Sequence, residues 1–203
     1  MFVESFYRVW DVIAFGVLGL LPVVLAVWYV QIIMRRNKVR EALGSIDAHL
    51  KQRLDLIPNM LRMAQKFMTH ERSLLEDITQ LRTRVAELAQ APDPQTSGAR
   101  LSIEDMISSK MGQLMVQVEN YPDLKSDQTM VQAMQTFNEV EARIAASRRF
   151  FNSAVTALNN AVEIFPGSLI AKLAGVSAVP HFAAEEEARK AINADDFLTE
   201  PAR

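Results

Sequence analysis

A long apolar run near the start of the chain passes directly into an amphipathic helical pattern. No charged residue occurs in residues 12–34, and Trp10 and Trp28 stand toward the two ends of this stretch. At about 1.5 Å per residue, a helix of this length reaches about 35 Å, enough to cross the ~30 Å hydrocarbon core of a bilayer. We therefore predict a transmembrane helix over residues 12–34, kinked or loosened at Pro22. A secretory signal is the alternative, but its apolar region is usually only about 7–15 residues long.

Positively charged residues give the predicted span an orientation. Arg8 alone precedes the apolar run, whereas the residues that follow it include Arg35, Arg36, Lys38 and Arg40. The positive-inside rule then places the long C-terminal part in the cytoplasm and residues 1–11 on the other side of the membrane. A basic side chain gains about 1 kcal/mol against anionic lipid when it lies close to the surface. We expect these basic residues to contact lipid headgroups.

Apolar residues spaced three, four and seven apart predict an all-α fold after the span. No stretch alternates with period two over enough residues to indicate a strand. We therefore predict an antiparallel bundle of three to four long helices over residues 35–180, followed by an acidic tail at 181–203. The first seam consists of Leu54, Ile57, Leu61, Ala64, Met68, Leu75, Ile78 and Val85. The second consists of Met130, Met134, Phe137, Ile144, Phe151, Val155, Leu158, Val162 and Phe165.

Prolines and small polar residues mark the expected interruptions. Pro58 removes an amide donor within the first seam, so we expect a kink there. Residues 90–98, QAPDPQTSG, read as a loop. Ser102 and Asp105 resemble a capping box that opens the next helix, and Pro122 bars its continuation.

Polar residues interrupt both apolar seams at helical spacing. The favoured interpretation of the charged ones is an interhelical network that determines register, with a binding or catalytic role as the alternative. The asparagines are expected to hydrogen-bond between helices first and to contact a ligand second. These candidates are Glu71, Arg82, Glu141, Arg148, Asn152 and Asn159.

A further polar set lies around the expected bend at Pro58. It consists of Asp47, Arg53, Asp55 and Asn59. A solvated helix face, with one aspartate stabilising the kink, is the favoured interpretation. An interaction site close to the membrane is the alternative.

Composition and motifs argue against most chemistry. The net charge of −2 is too balanced to indicate nucleic acid, and the absence of cysteine excludes disulfides, thiolate metal sites and a cysteine nucleophile. His70 and Glu71 begin a zinc-protease motif, but Leu74 stands where the second histidine is required. No Glu-x-x-His pair or glycine-rich phosphate loop is present. We expect no metal, no cofactor and no enzymatic activity.

Several sequence blocks, taken together, resemble the LemA family of bacterial membrane proteins. They are RNKVREALGSIDAHLKQRLDLIPNM (36–60), HE (70–71), YPDLKS (121–126), EARIAASRRFFNSAV (141–155) and FPGSLIA (165–171). The resemblance implies an N-terminal membrane helix followed by a cytoplasmic helical bundle. It implies no enzymatic activity, and it hints at proteolysis or quality control because members are often encoded beside membrane metallopeptidases.

The chain departs from the family pattern at three positions. Many members have an aromatic residue, commonly Tyr, where Phe151 and Leu158 stand, and an aromatic residue where this chain has Leu43. Any function that requires a tyrosine hydroxyl there is not carried over, and nothing is carried over to the tail after Phe182.

The sequence therefore favours a single-pass inner-membrane scaffold or adaptor that associates with itself and contacts other proteins. One alternative is a membrane-organising or remodelling protein that forms large homo-oligomeric arrays. Another is a regulatory partner of a membrane metallopeptidase. The expected partners are the bilayer, further copies of the chain, and a membrane protease or another membrane protein; nucleic acid is not an expected partner.

Overall fold

The fold is all-α, as predicted: the part of the chain that the structure describes contains helices and their connections but no strand. The structure is a computed structural model that describes residues 2–90 and 94–182, without the side chains of residues 2–18, 21, 89, 90, 94–99 and 101. The acidic tail after Phe182 lies outside the described residues. The helices are α1 (Phe2–Phe67), α2 (Arg72–Gln90), α3 (Pro94–Val118), α4 (Pro122–Lys125), α5 (Gln128–Glu163) and α6 (Gly167–Leu173). Of the two short helices, α6 coincides with SLIAKLAG (168–175), a segment whose sequence also predicts a helix, whereas α4 is additional to the predicted helices.

Helix α1 joins the apolar run to the amphipathic pattern without interruption. Its bounds, Phe2 and Phe67, enclose both Pro22 and Pro58, so neither proline ends the helix. Within the described residues, no helix is long and apolar enough to cross a membrane. The side chains of the first part of the predicted span, residues 12–18, lie outside the description.

Helix α3 begins earlier than the sequence indicated. It starts at Pro94, within the expected loop, so Ser102 and Asp105 lie inside the helix and the predicted capping box is wrong. A proline is tolerated in the first turn of a helix because its missing N–H has no intrahelical partner there. The start of α5 is capped as the chemistry of aspartate favours: Asp127 Oδ1 accepts bonds from the amides of Thr129 at 2.8 Å and Met130 at 3.0 Å.

The chain divides into two compact units. The first unit comprises Met1–Ala42 with Arg149–Arg203, and the second unit comprises Leu43–Arg148. Helices α1 and α5 therefore contribute residues to both units.

The second unit contains a large apolar core. Every residue of the first predicted seam except Leu54 is buried, and the core extends along α3 through Ile107, Met111 and Leu114. Close packing of these side chains accounts for the heptad-like spacing of the sequence.

The core of the first unit is built from buried residues of α1, α5 and α6. Ile32 of α1 packs with Ala161 of α5 and with Ile170 and Ala171 of α6. The second seam was predicted to end at Phe165, but this residue is 78% exposed. The helix has ended at Glu163, so the heptad phase no longer controls where the Phe165 side chain points.

Candidate functional site

A fully buried arginine lies at the centre of the second unit. Arg53 occupies a seam position of α1, where Ile46, Leu50, Arg53 and Ile57 follow each other at steps of four, three and four, and all are buried. The interpretation of Arg53 as part of a solvated helix face is therefore wrong. Because long charged side chains are almost never fully buried unless they are paired, the surroundings of Arg53 must supply partners.

Those partners come from α3 and α5. Arg53 forms ion pairs with Glu104 of α3 and with Glu141 of α5, the latter at 2.8 Å from its Nη1 to Oε1. It also donates to the hydroxyl of Ser108 and to the backbone carbonyl of Glu104, with Nη2 3.0 Å from that oxygen. One guanidinium thus joins three helices.

Further charged groups surround this centre. Ser108 donates to both carboxylate oxygens of Glu141 at 3.2 Å. Arg100 lies 3.9 Å from the second oxygen of Glu104 and 3.3 Å from Asp47, which is exposed on α1. The cluster contains Asp47, Arg53, Arg100, Glu104, Ser108 and Glu141, which we call the arginine cluster.

A separate ion pair joins α5 to α3. Its members, Arg148 and Asp105, are close in sequence to Glu141 and Glu104 of the arginine cluster. Arg148 Nη2 lies 2.8 Å from Asp105 Oδ1, at half-buried positions. Glu141 and Arg148, which are seven residues apart on α5, therefore each pair with a different helix, α1 for Glu141 and α3 for Arg148. Such a set of pairs specifies register, because a shift of one helix would leave a buried charge without its partner.

The burial of Glu104 changes its acidity. Loss of solvent raises the pKa of the Glu104 carboxyl above its ordinary value, and the positive charges of Arg53, Arg100 and Arg148 oppose this rise only in part. One of its oxygens, Oε1, is buried and accepts no hydrogen bond within the described residues. Glu104 therefore holds a proton more tightly than an exposed glutamate.

The structure does not bring the remaining polar candidates into the cluster. Asp55 and Asn59 are exposed on α1, and Asn59 Oδ1 accepts a hydrogen bond from Arg62 of the same helix. Arg82 of α2 donates from Nε to the carbonyl of Leu54 at 3.2 Å. Glu71 is half-buried immediately before α2. Of the four residues predicted to group around Pro58, Asp47 and Arg53 thus belong to the arginine cluster, whereas Asp55 and Asn59 face solvent.

The two asparagines of α5 hold an extended segment of the first unit. Asn159 donates to the carbonyl of Val179 and accepts from its amide, both at 2.9 Å. Asn152 donates to the carbonyl of Phe182 at 3.3 Å and accepts from its amide at 2.8 Å. The predicted first role, a hydrogen bond from helix to helix, is therefore wrong: each amide binds the backbone of a non-helical segment.

This asparagine clamp has a simple geometric basis. Seven residues of helix rise about 10.5 Å, whereas three residues of polyproline II chain rise about 9.3 Å. Val176, Val179 and Phe182 are half-buried and the residues between them are exposed, so every third residue of this non-helical segment faces the protein. Phe182 also packs edge-on against Phe151, with ring centroids 4.8 Å apart.

The basic residues that follow the predicted span have different surroundings. Arg35 Nη1 donates to the carbonyl of Ala157 at 2.8 Å, and Lys38 Nζ lies 5.2 Å from the centre of the Phe150 ring. Arg36 is half-buried and Arg40 is exposed. Contact of these residues with lipid headgroups stays a prediction.

Sequence reasoning missed Glu104 and Ser108, although a signal was present. Glu104 and Met111 are seven residues apart, and Met111 lies on the apolar face of α3 together with Ile107. A glutamate in phase with such a face has to be buried once the helix packs. The expected start of the helix near Ser102 placed Glu104 in a first turn, where an acidic residue is favourable and exposed.

The charged groups of the arginine cluster are held in ion pairs and hydrogen bonds with one another. Its carboxylates are held by arginine and serine donors that come from inside the second unit. No group of histidine and carboxylate residues among those described is suited to hold a metal ion.

Comparison with known proteins gives three findings. Residues 42–195 match the LemA family. The chain is 26% identical over 162 residues to protein LemA of Metamycoplasma hominis, in a match that covers 80% of this chain and 72% of that protein. It is 31% identical over 84 residues to magnetosome protein MamQ of Magnetospirillum gryphiswaldense, which covers 41% of this chain and 31% of that protein.

Replacement of Arg53 by leucine is expected to destabilise the protein strongly. The change leaves Glu104 and Glu141 without the cation that they share, and loss of one partner of a buried pair costs about 3–5 kcal/mol. Denaturant unfolding of the detergent-solubilised chain, followed by circular dichroism, measures the effect. Arg62→Leu on the same helix is the control, because Arg62 is exposed and such changes cost about 0.5 kcal/mol or less. Equal stability of the two variants would contradict a central role for Arg53.

Replacement of Glu104 by glutamine is expected to alter the dependence of stability on pH. A raised pKa in the folded state gives a contribution that is fully present below the ordinary pKa of about 4.5 and is lost as pH rises through the folded value. The stability of the parent relative to Glu104→Gln should therefore fall with rising pH, by at most about 1.4 kcal/mol for each pH unit.

The same unfolding measurement at a series of pH values tests this expectation. Glu87→Gln, at an exposed position of α2, shows how much of any trend comes from removing one carboxylate. A parent that gains stability over Glu104→Gln as pH rises would mean that the arginines outweigh burial.

Proposed function

The chain belongs to the LemA family, and from this premise we propose that it is a single-pass protein of the bacterial inner membrane. Its helical bundle acts as a non-catalytic scaffold or adaptor, through self-association and contacts with other proteins. Membership of the family and the similarity to a magnetosome protein are compatible with a membrane-associated protein of this kind.

The observation that carries the proposal is the bare apolar segment of α1. Residues 22–27, which make more than one full turn, are all exposed, and none of them is charged. A helix that is apolar on every side has to be covered, either by a protein core or by lipid. Leu20, Val23 and Val27 are at least half exposed, so no described part of the protein supplies that cover. A bilayer supplies it.

Charge supports the orientation. The basic residues Arg35, Arg36, Lys38 and Arg40 follow the apolar segment, which favours a cytoplasmic position for the helices after it. In this arrangement both the arginine cluster and the asparagine clamp lie in the cytoplasm.

The packing of methionine residues bears on how copies associate. Met60, Met68, Met111 and Met130 are all buried in the core of the second unit. They fill space within one copy and do not offer an adaptable surface to another. Met106 of α3, by contrast, is 52% exposed and is available for a contact between copies.

Arginine residues introduced into the bare segment are expected to release the protein from membranes. Leu20→Arg combined with Val24→Arg places two charges in the predicted span, each costing about 2.5–3.5 kcal/mol near the middle of a bilayer. The measurement is the fraction of protein that remains in the membrane pellet after alkaline carbonate washing. Leu43→Arg with Ala48→Arg, at exposed positions of the second unit, is the matched control. Retention of the first variant at the level of the control would contradict a membrane span.

The mass of the full-length chain in mild detergent is expected to be a discrete multiple of 22.8 kDa. Light scattering with the detergent contribution subtracted gives this mass. A very large multiple favours the alternative of extended arrays. A monomer contradicts self-association, and cross-linking in cells would then seek a one-to-one partner, such as a membrane metallopeptidase.

A further inference from the structure

An exposed apolar surface lies at the corner between α5 and α6 in the first unit. It is formed by Ile164, Phe165, Leu169 and Leu173, which we call the corner patch. Their exposed fractions are 60%, 78%, 56% and 84%. Leu169 and Leu173 lie four residues apart on α6 and therefore share one side of that short helix, while Ile164 and Phe165 lie in the turn that precedes it. Single exposed apolar residues are ordinary, but a contiguous group of large ones indicates an interaction surface.

The opposite side of α6 fixes the position of this patch along α1. Ile170 and Ala171 pack against Ile32 and Trp28 of α1. The contact is close at the first residue of α6, because a Cβ atom on Gly167 would lie 3.3 Å from Cζ3 of the Trp28 ring and 2.0 Å from the carbonyl oxygen of Ala161. The corner patch is therefore held beside the turns of α1 that contain Trp28 and Ile32.

Those turns lie where the bare segment of α1 ends. Pro22 to Val27 are exposed, whereas Trp28 is half-buried and Ile32 is fully buried. Trp28 also follows Trp10 by an interval of α1 that rises about 27 Å, close to the ~30 Å thickness of a hydrocarbon core. Tryptophan is enriched at both boundaries of membranes, so this spacing places Trp28 at the cytoplasmic boundary.

We propose that the corner patch inserts into the cytoplasmic headgroup region of the bilayer and forms a second membrane contact beside the anchor. The proposal rests on the proposed function, because it takes the bare segment of α1 as the span. At this level, large apolar side chains exchange contact with water for contact with the acyl chains near the headgroups, as in helices that lie in the membrane interface. Glu163, immediately before the patch in sequence, and Lys172, immediately before Leu173, are exposed, and charged side chains at this level can reach water and headgroups.

The contact has a mechanical consequence for the bundle. A single transmembrane helix leaves the attached domain free to tilt, whereas a second contact at the α5–α6 corner restricts the orientation of the first unit toward the membrane. The asparagine clamp follows α6 directly and would be presented at a defined height above the lipid.

Spin labels on single cysteines test the proposal in the full-length chain. The parent has no cysteine, so each label reports one position. Labels are placed in turn at Phe165, Leu169 and Leu173, with the protein in phosphatidylcholine vesicles. Collision with oxygen, which concentrates in the bilayer, is compared with collision with a water-soluble nickel chelate. Val23→Cys reports on the span, and Ser153→Cys, exposed on α5, serves as the reference for water.

The proposal expects the three patch labels to show a ratio of oxygen to nickel collisions several-fold above that at Ser153. If the label at Val23 is in lipid while the patch labels match Ser153, the membrane contact of the corner patch is contradicted and the proposed membrane span is supported. If the patch labels are shielded from both reagents, another copy of the chain covers the surface and the lipid contact is wrong. If Val23 itself matches Ser153, the proposed membrane span fails.

Discussion

Burial of a single guanidinium constrains the whole of the second unit. Arg53 lies on the seam of α1 with apolar residues before and after it, so it cannot reach water without unpacking the bundle. Its charge is compatible with folding only because α3 brings Glu104 and Ser108 to it and α5 brings Glu141. A helix that shifts along its axis loses less at an apolar seam than at a buried ion pair. A shifted leucine still meets another apolar side chain, whereas a shifted arginine loses its carboxylate partners. The arginine cluster thus makes one register of the three helices more stable than the registers in which a helix is shifted along its axis.

A different constraint acts on the first unit. Among the side chains of α1 that the structure describes, those of residues 19, 20 and 22–27 are exposed and uncharged, and Trp28 is the first that is half-buried. A core cluster of Ile32, Ala161, Ile170 and Ala171 lies just after that point. The unit therefore combines a bare, uncharged helical segment with a protein core that begins at its edge.

The asparagine clamp shows how a helix can hold a chain that is not helical. Each asparagine side chain bonds to the backbone N–H and C=O of one residue, Val179 for Asn159 and Phe182 for Asn152. These hydrogen bonds therefore do not depend on which side chains the segment carries. The spacing works because seven helical residues and three extended ones cover nearly the same distance. Specificity then comes from the few contacts outside the backbone, such as Phe182 on Phe151 and His181 on Thr156.

The prediction of the site was less complete than that of the fold. The seams gave an all-helical bundle because the period of apolar residues is a local property of the chain. They also singled out Glu141, Arg148, Asn152 and Asn159 as polar residues in apolar phase. They failed for Arg53, which was grouped with its polar neighbours in sequence although it is in phase with Ile46 and Ile57. A short polar stretch around a proline resembles a solvated face unless the phase of each residue is followed separately.

Sequence alone determined the helices, the long apolar run and the absence of cysteine chemistry, because propensity, periodicity and composition can be evaluated over neighbouring residues. It also carried the family resemblance through the order of its blocks. Only the tertiary structure decided which charges meet, since Arg53, Glu104 and Glu141 come from three separate helices. It likewise decided that Phe165 points outward and that Asn152 and Asn159 bind an extended segment. Both outcomes depend on where a helix stops and on what packs against it, which no local pattern records.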